Sequence, residues 1–491
     1  LFDGDGQRPT TWLGEAGRLG KQIQRLRDWA METETGDRDE LDPGVDEVAW
    51  RQASMPAREC VGVARCGYGA ECFAEASRAR AREADIVITN HSLLAVDMLA
   101  SRHILPEHRL LIIDEAHELA DRVSSASQAE LTPELIGKAA RRARPVVGPD
   151  RAGALTDAGD LLNLGLAEVS PGRLTDGLPT TLGEALTLID AAARSAFEAV
   201  GEVKSDDRDA ITKQQARTIL EDVSSVAQRL LAQVNQDVAW TERDDRGRRA
   251  VVVAPLSVAG TLGAHLYADR TVVATSATLT LGGRFDTIAA SLGLPASTTA
   301  PAPTPAPTPA GAAGQTAPDA ADSGQEGAGW RSLDVGSPFD YARQGILYVA
   351  SRLPRPTTSG LSDLAADELV DLVEALGGRT LGLFSSRRAA ERAAEVLRER
   401  TGHTVLLQGE QALPLLVRRF REERSSCLLG VMSLWQGVDV PGDACQLVVI
   451  DRLPFPRPDE PLAAARSAAV DESGGSGFAA VSVPIAAVRL A

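Results

Sequence analysis

The chain is poor in several things, and each shortage excludes something. Aromatic residues make up 4% of it against 44% apolar residues in all, so its cores must be built from Ala, Leu and Val rather than from rings. Apolar runs stop at four to eight residues before a charge or a glycine, too short for the ~20 residues of a membrane-spanning helix. No basic start leads into an apolar signal segment, so the cytoplasm is the expected compartment. Positive charge is in deficit: a formal net charge of -17 excludes a protein coated in basic surface, though not a local basic groove. Cysteines number five, and disulfides are disfavoured in that compartment.

A phosphate-cradling loop is also missing. Such a loop needs Gly, four residues, then Gly-Lys-Ser or Gly-Lys-Thr, because the glycines let backbone N–H groups wrap the phosphates and the hydroxyl binds magnesium. Gly20-Lys21 is followed by Gln22, with Gly14 one residue too far back, and Gly137-Lys138 is followed by Ala139. Any nucleotide chemistry therefore calls for a loop before Leu1. The chain opens on Leu1 and stops at Ala491 inside an apolar stretch, so it is read as a fragment. Its 491 residues suit about three domains.

What is present centres on one stretch. Leu110-Leu111-Ile112-Ile113 reads as a parallel strand buried on both faces, and Asp114-Glu115-Ala116-His117 follows at its carboxyl end. Ligands bind at that end of open α/β sheets, and two adjacent acids there suit a magnesium nucleotide. Asp114 is read as the magnesium holder and Glu115 as the base that polarises the attacking water. A solvated acidic turn is the alternative.

Upstream, an amphipathic helix is expected around Leu19 to Trp29, followed by an acidic loop from Glu32 to Asp46. Cys60, Cys66 and Cys72 come next, each separated from the next by five residues. Zinc would prefer a Cys-x-x-Cys knuckle, which is absent, and an iron–sulphur cluster wants four thiolates. Cys427 and Cys445 belong to a distant strand-rich segment, so a fourth ligand is sought upstream. Three ordinary thiols remain the alternative. Ala74 to Ala84 then reads as an Arg-rich helix and Ile86-Val87-Ile88 as a short buried strand. Thr89-Asn90-His91 suits either a cap for the next helix or a functional loop.

Downstream, Leu182, Leu186, Ile189, Ala193 and Phe197, then Ile219, Val223, Val226, Leu230 and Val234, recur at helical steps. Ala250–Ala254 reads as a resumption of the sheet, and Thr271-Val272-Val273-Ala274 as a further strand ending in Thr275-Ser276-Ala277-Thr278. Residues 296–329 carry Pro-Ala-Pro-Thr repeats and no aliphatic anchors, which marks a disordered linker and a domain boundary. Beyond it strands and helices alternate in a second α/β unit. Thr380–Ser386 is a strand ending in hydroxyls, followed by a helix from Arg387 to Arg400; Leu428–Met432 leads into Ser433–Asp439, and Gln446–Ile450 into Asp451-Arg452-Leu453-Pro454-Phe455.

The cysteine cluster, then Asp85–Leu94, then the Asp-Glu-Ala-His box resembles the XPD/DinG family of superfamily 2 iron–sulphur DNA helicases. Thr275–Thr278 is similar to that family's motif III, Thr380–Ser386 to motif IV, and Ser433–Asp439 to motif V, with Gln436 where the family more usually has Glu. The resemblance implies an α/β fold: two RecA-like parallel-sheet motor domains with a cluster insertion and a helical Arch insertion. Residues 1–29 would begin the fragment, 30–84 hold the cluster domain, 85–120 the first motor domain with motif II, and 121–235 the Arch. Residues 236–295 would resume the first motor domain, 296–329 form the linker, and 330–491 the second motor domain, cut before motif VI.

It further implies ATP, magnesium and a 4Fe-4S cluster on Cys60, Cys66 and Cys72. Ser276 and Thr278 would lie near His117 and act with Asp114 and Glu115, while Gly437 and Asp439 would contact the nucleotide. The implied activity is ATP-driven 5′–3′ movement of a monomer on single-stranded and forked DNA in repair or replication, with no membrane partner; the fragment alone is expected to be inactive. Two competing readings are a nuclease relative with an exonuclease domain upstream, and a cluster-containing DNA-binding or redox-sensing module that does not hydrolyse ATP.

Overall fold

The computed structural model describes residues 17–55, 60, 63, 66–99, 104–203, 209–244, 246–296, 326–327, 329–354, 360–431, 434, 438 and 440–490. Two compact units divide them, one formed by residues 1–276 and 289–294, the other by 277–288 and 295–491.

The first unit opens with α1 (Arg18–Glu32) and α2 (Glu47–Ala53). Leu26 of α1 packs with Leu41 and Ala49 in a small core, where Trp29 and Trp50 stand 6.2 Å apart. The expected Arg-rich helix is α3 (Phe73–Glu83), and α4 (His91–Leu99) follows, its first turn capped by Asn90 Oδ1 accepting from Leu93 N at 2.8 Å. Ile86-Val87-Ile88 corrects the sequence reading: the segment makes no strand, and Ile86 and Ile88 are 81% and 93% exposed. An apolar run becomes a buried strand only beside a pairing partner, and none stands next to it among the described residues.

Next come β1 (Leu110–Ile113), α5 (Leu119–Ala126) and β2 (Ala129–Leu131), then α6 (Pro133–Val147), α7 (Pro149–Glu168), β3 (Gly172–Arg173), α8 (Thr180–Val200) and α9 (Ala210–Ala232). Thr132 caps α6 by accepting from Leu135 N at 3.0 Å, and Pro133 fills the first turn, where no N–H is needed. The helical spacing seen in the sequence is the core stripe: Leu182, Leu186, Ile189 and Ala193 of α8 meet Ile219, Val223 and Leu230 of α9 in one cluster with α6 and α7. Val234, beyond the end of α9, is exposed.

The helical body is closed by β4 (Asp237–Arg243) and β5 (Arg249–Pro255). These pair antiparallel with β2 and β3 in the order β2-β5-β4-β3, and Val251 and Val253 enter the helical core. Ala250–Ala254 therefore belongs to this antiparallel sheet and does not extend the parallel pairing of β1. Its unbroken apolar run has a direct cause: β5 is an inner strand buried on both faces.

After α10 (Ala259–Leu266), β6 (Thr271–Ala274) pairs parallel with β1, Leu110 opposite Thr271 and Ile113 opposite Ala274. This two-stranded sheet leaves Leu110 and Ile112 56% and 65% exposed, with Ile113 buried. The expectation of a strand covered on both faces is thus met only at its carboxyl end, because a pair of strands with one neighbour each cannot bury all its side chains.

In the second unit, α11 (Asp286–Ser291) straddles the division, and Ala289–Leu294 packs with the first unit. Most of the expected linker lies outside the described residues; its last part forms a small hairpin of β7 (Glu326–Gly327) and β8 (Trp330–Arg331), with Trp330 Nε1 donating to Pro295 O at 2.9 Å. α12 (Tyr341–Gln344) and α13 (Asp363–Leu376) follow, then β9 (Thr380–Leu383), α14 (Arg387–Arg400), β10 (Val405–Leu407), α15 (Leu413–Glu422), β11 (Cys427–Gly430), β12 (Leu447–Ile450), α16 (Pro461–Glu472) and α17 (Val483–Leu490). The sheet is wholly parallel, in the order β10-β11-β9-β12.

Alternation along its strands feeds two cores. Val405, Leu407, Cys427 and Leu429 pack with α13 and α14, whereas Leu406 and Leu428 pack with Leu416 and Phe420 of α15. Ser362 and Ser386 cap α13 and α14 through Ala365 N and Ala389 N. The fold is thus mixed α/β with parallel sheets, and no helix among the described residues is long and apolar enough to cross a membrane.

Candidate active site

The register of β1 and β6 builds the site. With Ile113 opposite Ala274, the residues that leave the two strands, Asp114 and Thr275, arrive side by side. Thr275 N donates to Ile113 O at 2.8 Å and Ala116 N donates to Thr275 O at 2.9 Å, so the ladder brackets the turn. Between those bonds Glu115 takes a left-handed backbone, φ 49° and ψ 43°. That conformation costs a non-glycine residue about 1–2 kcal/mol. The bracketing bonds hold it, and the short 3-10 turn Ala116–Glu118 begins there.

Each acid is oriented by a hydroxyl from the β6 side. Thr275 Oγ1 donates to Asp114 Oδ1 at 3.1 Å, and Glu115 N donates to the same oxygen at 3.0 Å. Ser276 Oγ donates to Glu115 Oε2 at 3.1 Å and stands 2.8 Å from His117 Nδ1. A hydroxyl has one proton; given to Glu115, it leaves Ser276 as the acceptor of a proton on His117 Nδ1, which fixes the imidazole tautomer. His117 is 12% exposed and Glu115 58% exposed, so a packed imidazole steadies a carboxylate that faces solvent.

Of the expected residues, Asp114, Glu115, His117 and Ser276 are brought together. Thr278 groups with the second unit. Gly437 and Asp439 lie outside the described residues. Thr275 was missed, although its place directly after a strand in register with β1 is the signal that would have found it. His91 adds a tie of its own: Nε2 lies 2.8 Å from the Asp114 carbonyl oxygen, so Thr89-Asn90-His91 caps α4 and also touches the turn at Asp114.

The donor set suits a hard cation. Asp114 Oδ1 takes both bonds described above, which leaves Oδ2 for a metal or its water shell. Cys60, Cys66 and Cys72 are each half-buried, and among the described residues no three His, Cys, Asp or Glu side chains gather around one point.

The second unit repeats the arrangement at the ends of β9 and β12, with Ile450 opposite Leu383. Asp451, next after β12, accepts from Ser385 N at 2.8 Å and from Ser385 Oγ at 3.0 Å. Burial pushes the Asp451 carboxyl above its ordinary value, and the Ser385 bonds and Arg452 oppose that shift without cancelling it.

Comparison with known proteins follows the same line. A helicase C-terminal domain family matches residues 369–491. The ATP-dependent helicase DinG of Mycobacterium tuberculosis is 44% identical over 502 aligned residues, which take in 100% of this chain and 71% of the relative. The ATP-dependent DNA helicase YoaA of Haemophilus influenzae is 28% identical over 97% of this chain and 72% of its own length. A solved structure titled as S. tokodaii Xpd4 covers 80% of this chain and 70% of its own at a TM-score of 0.41 and 11% identity, a likeness too low to carry an argument. With 44% identity along its whole length to a relative of which it spans more than two thirds, the chain belongs to the DinG family of ATP-dependent helicases.

Proposed function

We propose that this chain is the body of an ATP-dependent DNA helicase that couples ATP hydrolysis to 5′–3′ movement on single-stranded DNA and to opening of forked duplexes, acting as a cytoplasmic monomer in repair or replication. The observation that carries the reading is the Ser276 hydroxyl bridging Glu115 and His117 across two parallel strands. Asp114, steadied by Thr275, would hold magnesium, which neutralises charge on the transferring phosphate when bound. Glu115 would accept the proton of the attacking water. Its Oε2 is tied to Ser276 and Oε1 is left to face that water. Because Ser276 and His117 answer any change at Glu115, they form the link by which hydrolysis reaches the β6 side. Residues 30–84 would be the cluster domain, 121–235 the Arch and 330–491 the second motor domain, with Gly437, Asp439 and Thr278 completing the nucleotide site. Cys60, Cys66 and Cys72 would ligate a 4Fe-4S cluster with one further thiolate; the support is their spacing and the all-thiol donor set.

Glu115→Gln tests the reading. The amide keeps the shape and an acceptor for Ser276 but cannot take a proton, so in a protein complete with its phosphate-binding loop DNA-stimulated ATP turnover should fall by about 10²- to 10⁴-fold while nucleotide affinity changes little. Turnover within a few-fold of the parent would remove Glu115 from the role of base.

A further inference from the structure

Helix α1 carries positive charge that its own packing does not use. One face buries Leu26 and half-buries Ile23 and Trp29. Another presents Arg18, Lys21, Gln22 and Arg25, one helical turn apart, around an open cleft of about 420 Å³. Two of these four are engaged. Gln22 Nε2 donates to Asp46 Oδ2 at 2.9 Å and its Oε1 accepts from Asp46 N at 3.1 Å, while Arg18 reaches the same carboxylate at 3.1 Å. The other two are not. The Lys21 ammonium has no hydrogen-bond or ion-pair partner among the described residues, and Arg25 Nη2 is buried with no acceptor.

A buried guanidinium nitrogen without an acceptor is costly and rare in a finished site. An anion that enters the open cleft and meets a planar donor fork and an ammonium together would supply that partner, and a phosphate has this chemistry. On a chain of net charge -17, a polyanion is repelled by most of the surface and must be held where cations are concentrated.

We propose that this cleft binds backbone phosphates of a DNA strand, with Arg25 and Lys21 as the contacting groups and Gln22 and Arg18 fixing the cleft wall through Asp46. The proposal rests on DNA being the substrate, as proposed above, and assigns α1 as one holding point for it.

The test is anisotropy of a labelled oligodeoxythymidine titrated with the full chain between about 50 and 200 mM salt. Each single-strand phosphate contact contributes about 0.7 to the slope of log affinity against log salt, so Lys21→Gln/Arg25→Gln should flatten the slope by about 1.4. Over that fourfold salt range the parent should lose about sevenfold more affinity than the double variant. Lys21→Gln alone, a surface change that leaves the helix packing untouched, should flatten the slope by about 0.7. With methylphosphonate linkages, which carry no charge, parent and variants should bind alike. Equal slopes in parent and variants, or a difference that persists on the uncharged strand, would overturn the α1 site and leave the DNA reading standing. A parent that binds no oligonucleotide at any salt would overturn the DNA reading, and the site with it.

Discussion

Arg229 offers the sharpest test of how the helical body is fixed to the site. Standing in the last turn of α9, it donates from Nε to Asp237 Oδ2 at 2.7 Å and from Nη2 to Asp237 Oδ1 at 2.6 Å, while Nη1 donates to Ser127 O at 2.9 Å. Ser127 caps α5, the helix that directly follows the candidate catalytic residues, and Asp237 opens β4. One guanidinium therefore joins three segments. The two side chains are 30% and 17% exposed, between the fully buried pairs whose disruption costs about 3–5 kcal/mol and the exposed pairs worth about 0.2–1 kcal/mol. Arg229→Met keeps the aliphatic stem and strands the carboxylate, so a loss of about 2–3 kcal/mol is expected. Arg229→Lys, a point charge that cannot span both carboxylate oxygens and the carbonyl, should recover part of it. Urea unfolding followed by circular dichroism would measure the loss, and hydrogen exchange at residues 119–126 and 237–243 would show whether it spreads from these junctions. Adding Asp237→Asn to Arg229→Met should restore some stability by removing the stranded charge. If Arg229→Met unfolds within about 0.5 kcal/mol of the parent, the clamp is ornamental and the reasoning fails.

Two further predictions concern single positions. Asp451 has its folded-state carboxyl raised by burial, so the folded protein binds that proton more tightly than the unfolded chain; the burial penalty present at neutral pH is relieved as pH falls through the raised value. Asp451→Asn, which still accepts from Ser385, should therefore gain stability relative to the parent at neutral pH and lose that advantage on acidification, and an advantage independent of pH would contradict the assignment. Gly293 has φ +75°, and a Cβ there would overlap the Ala259 carbonyl oxygen and lie 2.7 Å from Gly263 N, whereas Gly201, φ +69°, has open space around it. Thermal melts should show Gly201→Ala, whose ψ of -164° lies in a region open essentially only to glycine, costing about 1–3 kcal/mol from backbone conformation alone and Gly293→Ala at least ~2 kcal/mol more; similar losses at both would mean that α10 gives way easily.

Much of this was legible because local sequence carried it. Leu110–Ile113 running into Asp114-Glu115-Ala116-His117 needs no distant partner to be read, and the stripes on α8 and α9 announce their own buried faces. What failed depended on partners. The run at Ala250–Ala254 says that the strand is buried on both faces but not whether its neighbours run parallel or antiparallel, and β5 proved antiparallel to both. Ile86-Val87-Ile88 has the composition of a buried strand and, among the described residues, no neighbour to make it one. Thr275 and Ser385 gain their meaning from a register with strands far away in sequence, which periodicity does not encode.

The pairing of β2 with β5, Ala129 opposite Val253, gives the helical body a property of its own. The chain enters that body on one strand and leaves it on the neighbouring one, so its two ends stand about one strand spacing, ~4.8 Å, apart. A body hinged this way is a cassette: a tight turn joining the two strands could replace it without moving β1 from β6, and a different insertion could be carried on the same pair. Its order of assembly follows as well. The parallel pairing of β1 with β6 spans the whole insertion, and once that insertion has folded around its own core the loop left to close is short. The turn at Asp114 should thus be among the last parts of the first unit to form during synthesis, set in place when Thr275 arrives beside it.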